Sequence, residues 1–396
     1  ELSLGLVGSE MCIRDSFSAL SAVPAFLIVR RATKSTIGGY AAALTCVFCP
    51  QLVRMAGDLM KNAVGIFFLL SFVYFLHKAL FDLRWTDLIL SILGFYLTFL
   101  THALDFGFAL LFLITYLPLS ILIIKEKEKA LFRWTIILAS CLLLVYLSYV
   151  VSPFLFSDLG KGIKFLRDLL FHPQPHWNMP LSEAPKPPPP PRSPVLELLF
   201  DPYGAGLVVP ALISGLILAY AELRMRSEAF SLIASAMVAG LLCAIVAGMP
   251  DWGWRFRLMT LIPISIIAGT SVSKIGDRTA AISVTLLLAG ILAIGALQVA
   301  IHTHPLISQP EYFELLEVSK KVPPNSIVVA IRCHINPYWV EYLLGTDRTG
   351  IIRPELWEEY DHVLLLVDTK QQNMPGGKVI FGGRTIVLLE IRPPNR

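Results

Sequence analysis

The chain has 396 residues, of which 55% are hydrophobic and only 16% are charged. A composition this apolar excludes an ordinary soluble domain and indicates a membrane protein. The formal net charge of +4 comes from the segments between apolar runs, so it reports membrane orientation and gives no sign of nucleic-acid binding. Cys46, Cys49, Cys141 and Cys243 lie inside apolar runs, which excludes a disulfide framework.

The first 16 residues have a pattern unlike the rest of the chain. Residues 6–16 have no basic start, no adequate apolar core and no small-residue cleavage site, so they do not make a signal peptide. They resemble translated sequencing-adapter sequence. We therefore expect residues 1–16 to be a non-native segment, with native sequence beginning near Phe17 and the native N-terminal region lying upstream.

Ten apolar runs follow, each long enough to cross a bilayer or nearly so, judged against the ~20 residues that a transmembrane helix needs. They cover residues 17–29, 37–53, 63–77, 87–103, 106–124, 134–151, 204–221, 229–248, 258–273 and 280–301. The sequence thus predicts about ten spans, the first of them shortened by the N-terminal segment.

The segments between these runs alternate in charge. Lysines and arginines concentrate after the first, third, fifth, seventh and ninth runs, at Arg30, Arg31, Lys34, Lys78, Arg84, Lys125, Lys127, Lys129, Arg133, Arg224, Arg226, Lys274 and Arg278. The positive-inside rule places these segments in the cytoplasm. The opposite ends of the spans, and the tail from about residue 302, are then extracytoplasmic.

Two long segments fall on that side. Residues 152–203 combine a short basic helix, lying in the headgroup plane or packed on the bundle, with a proline-rich spacer. Residues 302–396 have the patterning of a soluble domain. Its predicted elements are helices at 311–320, 338–344 and 354–360, strands at 326–331 and 362–367, and a hairpin of 378–381 with 384–391.

The predicted fold is therefore mainly α. It is a polytopic transmembrane helical bundle over residues 17–301, followed by a small extracytoplasmic α/β domain over residues 302–396. This domain would serve as a substrate-facing lid, a partner-binding module or plain structural support.

A first polar cluster interrupts the apolar sequence after the second run. Arg54, Asp58 and Asn62 are spaced i, i+4, i+8, which places them on one helix face, and Lys61 lies one position off that line. Asp58 would bind a cation or a sugar hydroxyl, and Arg54 with Lys61 would hold a phosphate. The alternative is a simple ion pair between Arg54 and Asp58.

A second cluster lies at the turn between the fourth and fifth runs. His102 and Asp105, at i, i+3, could be a base with its orienting carboxylate or two ligands of a divalent cation, together with Asp58. The alternative reading makes Asp105 the N-cap of the next helix.

The third cluster is residues 249–257, between the eighth and ninth runs. Arg255 and Arg257 lie beside Asp251, Trp252 and Trp254 at a predicted bilayer surface. Two guanidiniums can grip a phosphate and two indoles can stack on a sugar ring. The alternative is an aromatic and cationic anchor at the membrane interface.

These motifs and their order resemble the GT-C superfamily of integral-membrane glycosyltransferases, particularly its archaeal and bacterial members. The resemblance rests on residues 50–58, on residues 100–102, on Trp254-Arg255-Phe256-Arg257 before an apolar run with Pro263, and on the outward C-terminal domain. In that family the catalytic carboxylate lies in the first outward loop. By topology the run at 17–29 corresponds to the family's second helix, so we expect the base to lie upstream of Phe17.

The resemblance implies a multi-pass enzyme of the plasma membrane and cell envelope. It would move a sugar from a polyprenyl-phosphate donor to a glycan, lipid or protein acceptor on the extracytoplasmic face. Membrane lipid is then its other partner, and a divalent cation is an open question. Arg257 with Arg255 would stabilise the departing lipid phosphate, Trp252 and Trp254 would contact sugar or lipid, and Asp58 and His102 would add polar contacts.

The sequence has no glycine-rich phosphate loop, no nucleophile elbow and no H-E-x-x-H motif, so it indicates no nucleotide chemistry.

Two other classes of function stay open. A transporter or flippase for polyprenyl-linked glycans would also have many spans, although charged groups at mid-depth and related halves are lacking here. A non-enzymatic assembly or receptor subunit, acting through the C-terminal domain, is the second alternative.

Overall fold

The structure is a computed structural model. It describes residues 16–58, 60–151, 205–246, 253–302, 309–330, 340, 343–344, 360–369 and 376–391. The chain divides into two compact units, with the boundary between residues 303 and 304. The predicted non-native segment (apart from Ser16), the segment 152–203 and the predicted tail helix at 354–360 (apart from Tyr360) lie outside the described residues.

The first unit is a bundle of helices. In chain order they are α1 (Ala22–Thr33), α2 (Thr36–Phe48), α3 (Pro50–Asp58), α4 (Met60–Phe81), α5 (Trp85–Thr101), α6 (Ala103–Ile121), α7 (Lys127–Val151), α8 (Ala205–Arg224), α9 (Ala229–Val246), α10 (Gly253–Met259), α11 (Leu261–Val272) and α12 (Arg278–His302). Each of the ten predicted runs therefore corresponds to one helix or to two consecutive helices.

Among the described residues, six helices are long and apolar enough to cross a membrane, and the bent pair α2–α3 makes a seventh. The six are Lys61–Phe81, Ala103–Ile121, Lys127–Val151, Ala229–Val246, Arg255–Val272 and Arg278–Ile301. α5 is apolar but has only 17 residues. The chain is a mainly helical, multi-pass membrane protein.

A proline breaks the second predicted run into α2 and α3. Pro50 has no N–H to continue the helix, and the residue before a proline is driven to extended backbone, as Cys49 is here with φ −65° and ψ 125°. The two helices meet at an angle of 47°. Polar residues that follow Pro50 are thereby carried on a separate short helix.

Helices α2 and α11 touch through their backbones. A Cβ atom added at Gly38 would lie 2.7 Å from the Gly269 carbonyl oxygen, and one added at Gly269 would lie 2.7 Å from the Gly38 oxygen. Only glycine fits at either position. Small residues that let backbones approach are a usual basis of helix association in membranes, where apolar side chains gain little by leaving lipid.

Ion pairs join several helices at one end of the bundle, which we name the basic end. Arg31 donates to Asp82 and, at 2.6 Å, to Glu228. Lys274 pairs with Glu222. These contacts bring together the segments after the first, third, seventh and ninth predicted runs.

The segment after the fifth run reaches the same end, since the Arg133 guanidinium lies 5.1 Å from the ring of Trp85. All five basic segments therefore share one end of the bundle, as the alternation in charge requires. Its cytoplasmic placement stays a prediction from the positive-inside rule.

The second unit is a small α/β domain. Helix α13 (Gln309–Ser319) precedes β1 (Ser326–Ala330), β2 (His362–Asp368), β3 (Lys378–Gly382) and β4 (Ile386–Ile391). The sheet has the order β1-β2-β4-β3, in which β1 and β2 are parallel and the other pairs antiparallel. Leu315 and Val318 of α13 pack on one face of the sheet. These elements match the predicted helix, strands and hairpin.

Glu314 of α13 holds the hairpin between β3 and β4. Its carboxylate accepts hydrogen bonds from the backbone N–H groups of Arg384, Thr385 and Ile386 and from the Thr385 hydroxyl. Burial alone would raise the pKa of this carboxyl. The four hydrogen bonds together outweigh burial, so the pKa lies below its usual value.

Candidate functional site

Polar side chains from sequence-distant helices meet at the end of the bundle opposite the basic end, which we name the distal end. The Asn62 amide of α4 lies 3.0 Å from His102 Nδ1, at the junction of α5 and α6. The Gln51 amide of α3 donates to Thr260 Oγ1, between α10 and α11, at 3.3 Å. The first and second predicted clusters therefore meet, and α3, which carries part of the first, lies beside the junction of α10 and α11.

His102 sits at the helix junction with extended backbone, φ −162° and ψ 137°, and it is the N-cap of α6. Its Nδ1 accepts the backbone N–H of Leu104 at 3.1 Å. A ring nitrogen that accepts from an N–H carries no proton, so Asn62 donates to the same atom and the ring proton is on Nε2.

Asp105 does not cap this helix, contrary to the alternative drawn from the sequence. It lies in the first turn of α6 and is fully buried, because its side chain points at the neighbouring helix. The carboxylate rests on the bare backbone of Gly65 in α4, where a Cβ atom would collide with it.

Neither carboxylate oxygen of Asp105 has a hydrogen-bond partner among the described residues, and its Oδ2 lies 3.8 Å from His102 Nδ1. At 3.8 Å the two atoms are too far apart for a hydrogen bond, so Asp105 does not orient His102 in this structure. A buried carboxyl without donors is costly, which makes it a marker of function.

Arg255 and Arg257 lie on α10, a seven-residue helix that packs against α3 and α9. Both arginine side chains are half-buried, and the Nε atom of each is buried. Phe256 between them is buried, with its ring 5.8 Å from that of Phe108 in α6. Thr260 donates to the Arg257 carbonyl oxygen at 2.6 Å. The arginines are held at the distal end by packing.

The first predicted cluster is divided between two helices. Arg54 and Asp58 belong to α3, whereas Lys61 and Asn62 belong to α4. Asn62 is buried, Arg54 is half-buried and Lys61 is exposed. Asn62 contacts His102 directly.

Four other predicted positions fall wholly or partly outside the described residues. These are Asp251 and Trp252, and the side chains of Asp58 and Trp254. Within the described part of the chain, no three metal-ligating side chains come together. The cation site assigned to Asp58, His102 and Asp105 stays a prediction.

Gln51 and Thr260 were not among the predicted site residues. Gln51 is fully buried, and its Oε1 accepts from the Cys49 thiol at 2.5 Å. A glutamine directly after a proline inside an apolar run was an available signal, because polar groups in spans are expensive. Nothing in the sequence marks Gly65 as the residue that makes room for Asp105.

The described residues form a polytopic helical bundle and a small α/β domain. A solved structure has a similar fold. The crystal structure of ArnT from Cupriavidus metallidurans bound to undecaprenyl phosphate matches with a TM-score of 0.57 at 11% sequence identity. The match covers 96% of this chain and 83% of that chain. The chain therefore has an ArnT-like fold.

No family model matches the sequence, and no curated protein matches it. The similarity to ArnT is one of fold.

Proposed function

We propose that the chain is a membrane glycosyltransferase of the GT-C type that uses a polyprenyl-phosphate sugar donor. It would move the sugar to an acceptor on the extracytoplasmic face. The observation that carries the proposal is the similarity of fold to ArnT over 96% of the chain, since that structure holds undecaprenyl phosphate. The buried polar groups at the distal end support it, because intramembrane polar residues usually mark a site.

In the proposed reaction the acceptor hydroxyl oxygen bonds to the anomeric carbon of the sugar. The bond from that carbon to the phosphate oxygen breaks, its electron pair stays with the phosphate, and the acceptor proton passes to a general base. Arg257, assisted by Arg255, would stabilise the negative charge that develops on the lipid phosphate. Their half-buried position strengthens such an interaction over its value in water.

His102 would donate its Nε2 proton to a sugar or phosphate oxygen, with Asn62 and the Leu104 N–H fixing the ring. The roles of Trp252 and Trp254 in stacking on the sugar are also part of the proposal. Arg54, Lys61 and Asp58 would complete the polar surface, and Asp251 would contact a sugar hydroxyl.

The direct test is binding of undecaprenyl phosphate to the full chain in lipid nanodiscs, followed by sugar transfer in liposomes by the chain with its native N-terminal region restored. We expect Arg257→Ala to weaken binding by about 10-fold or more, since a hydrogen-bonded charge pair is removed. Lys127→Ala, which removes an exposed cation at the basic end, is the control and should bind as the wild type does.

Unchanged binding by Arg257→Ala would contradict the role given to this residue. Failure of the wild type to bind the lipid would contradict the function itself. Movement of a lipid-linked glycan across the bilayer, intact and without sugar transfer, would favour the transporter instead.

A further inference from the structure

A cavity of about 560 Å³ opens at the basic end of the bundle, between the first residues of α2 and α12. It is far from the distal end in the chain's topology and shares no residue with the site described above. Ser35, Thr36 and Arg278 line its mouth. The inference drawn from it does not depend on the proposed function.

The mouth of this cavity is suited to an anion. Ser35 caps α2, and its hydroxyl oxygen accepts the Gly38 N–H at 3.1 Å, which leaves the hydroxyl hydrogen to donate. The Asp277 carboxylate accepts the Ala280 N–H at 2.6 Å, which satisfies one backbone N–H group at the start of α12. The exposed Arg278 guanidinium supplies the positive charge at the mouth.

Below the mouth the cavity walls are apolar strips. On α2 the lining residues Thr36, Tyr40 and Leu44 are spaced i, i+4, i+8. On α12 the same spacing joins Arg278 to two further lining residues, Ile282 and Leu286. Residues at this spacing share one helix face, and eight residues of helix rise about 12 Å.

Each strip thus starts at a polar or charged residue and continues along the bilayer with apolar ones. Tyr40, Ile282 and Leu286 are all exposed in the protein, so they are open to the surrounding lipid. A soluble anion would use only the mouth. An amphiphile with a phosphate and a hydrocarbon chain would use the whole groove.

We propose that this groove binds one anionic phospholipid of the cytoplasmic leaflet. Its phosphate accepts hydrogen bonds from Arg278 and Ser35, and one acyl chain lies between α2 and α12 against Leu44 and Leu286. Charge complementarity selects an anionic lipid, and the basic end places the groove in the leaflet that carries such lipids.

The test uses native mass spectrometry of the full chain in micelles, titrated separately with phosphatidylglycerol and phosphatidylcholine. We expect the wild type to hold one phosphatidylglycerol molecule in preference to phosphatidylcholine. Arg278→Ala should weaken phosphatidylglycerol binding about fivefold, the value of one cation at an anionic membrane surface. Arg84→Ala is the matched control, because Arg84 is an exposed cation at the same end that does not line the groove.

A second variant, Leu286→Trp, places a larger ring in the groove at a position that is 62% exposed, so folding is preserved. It should reduce retention of both lipids while leaving Arg278 in place. Equal retention of the two lipids by the wild type would overturn the proposal. So would equal loss in Arg278→Ala and Arg84→Ala, or an Arg278-dependent preference for undecaprenyl phosphate over phosphatidylglycerol.

Discussion

The acidic groups at the two ends of the helical bundle have opposite surroundings. At the basic end Asp82, Glu228 and Glu222 each form an ion pair with a lysine or arginine, and Lys78 donates to Asp87 at 2.7 Å. At the distal end Asp105 is fully buried, neither of its carboxylate oxygens has a hydrogen-bond partner among the described residues, and its Oδ2 lies 3.8 Å from His102 Nδ1.

This difference separates structure from function. Paired acidic and basic side chains hold helix ends together. Removing one partner is unfavourable because it leaves the other charge without compensation. A carboxyl without donors contributes little to folding, so its presence is better explained by a ligand or a reaction. Variants at each end test whether the two ends differ in this way.

Arg31→Ala should lower the free energy of unfolding by about 2–3 kcal/mol, because Asp82 and Glu228 would lose their common partner. The Arg31 side chain is only 20% exposed, so water compensates the loss in part. Unfolding of the purified protein by titration with a denaturing detergent measures the effect.

Arg30→Ala is the control for that variant. Arg30 is adjacent in sequence and exposed, and its guanidinium lies 5.6 Å from the Phe26 ring. We expect a loss under about 1 kcal/mol. Equal losses in the two variants would mean that the ion pairs at the basic end are not a specific clamp.

Glu228→Gln tests the same end through pH. The His77 ring, whose Nε2 lies 3.6 Å from the Glu228 carboxylate, lowers the pKa of Glu228 most. Burial raises this pKa and Arg31 lowers it further. The pKa of Glu228 therefore falls from 4.5 to about 2. A carboxyl with a lowered pKa in the folded state stabilises the protein above its unfolded pKa. That contribution disappears as the pH falls from 4.5 toward 2.

The glutamine variant should therefore be less stable than the wild type at pH 7 by about 1–2 kcal/mol, after allowance for solvent screening of a side chain that is 34% exposed. The difference should shrink as the pH falls below 4.5. A difference independent of pH between 7 and 3 would show that charge on Glu228 does not stabilise the fold.

Asp105→Asn should leave the free energy of unfolding unchanged or raise it by up to about 1 kcal/mol, since the amide has nearly the same shape and no charge to bury. Asp87→Asn is the matched variant at the basic end, where Lys78 donates to a side chain only 4% exposed, and it should destabilise. Thermal unfolding of both variants measures the contrast. Destabilisation by Asp105→Asn equal to that by Asp87→Asn would refute it.

The sequence predicts the helices well because apolarity and helical backbone are linked in a bilayer, where every backbone polar group must be bonded within its own segment. Helix ends are less predictable. α7 begins at Lys127, seven residues before its apolar run, because helices continue past the hydrocarbon into the headgroup region. The apolar run at 37–53 hid the break at Pro50, although a proline inside a run is the visible sign of one.

The candidate site was predictable as a set of residues and not as an arrangement. Helical spacing says which face a residue occupies, but it does not say which helix lies opposite that face. The contacts of Asn62 with His102 and of Gln51 with Thr260 depend on such pairings between helices 40 and 209 residues apart in sequence. The tight turn before α6 suggested a capping carboxylate, whereas the histidine ring forms the cap because its Nδ1 reaches the Leu104 N–H.

The backbone contact between Gly38 and Gly269 has a consequence for the distal end. α3 continues from α2, and α10 leads into α11, so the spacing of the two long helices also sets the spacing of the two short polar ones. A methyl group at either glycine would act as a spacer between neighbouring spans. The distance between Gln51 and Thr260 therefore depends in part on the absence of a side chain at Gly38 and at Gly269.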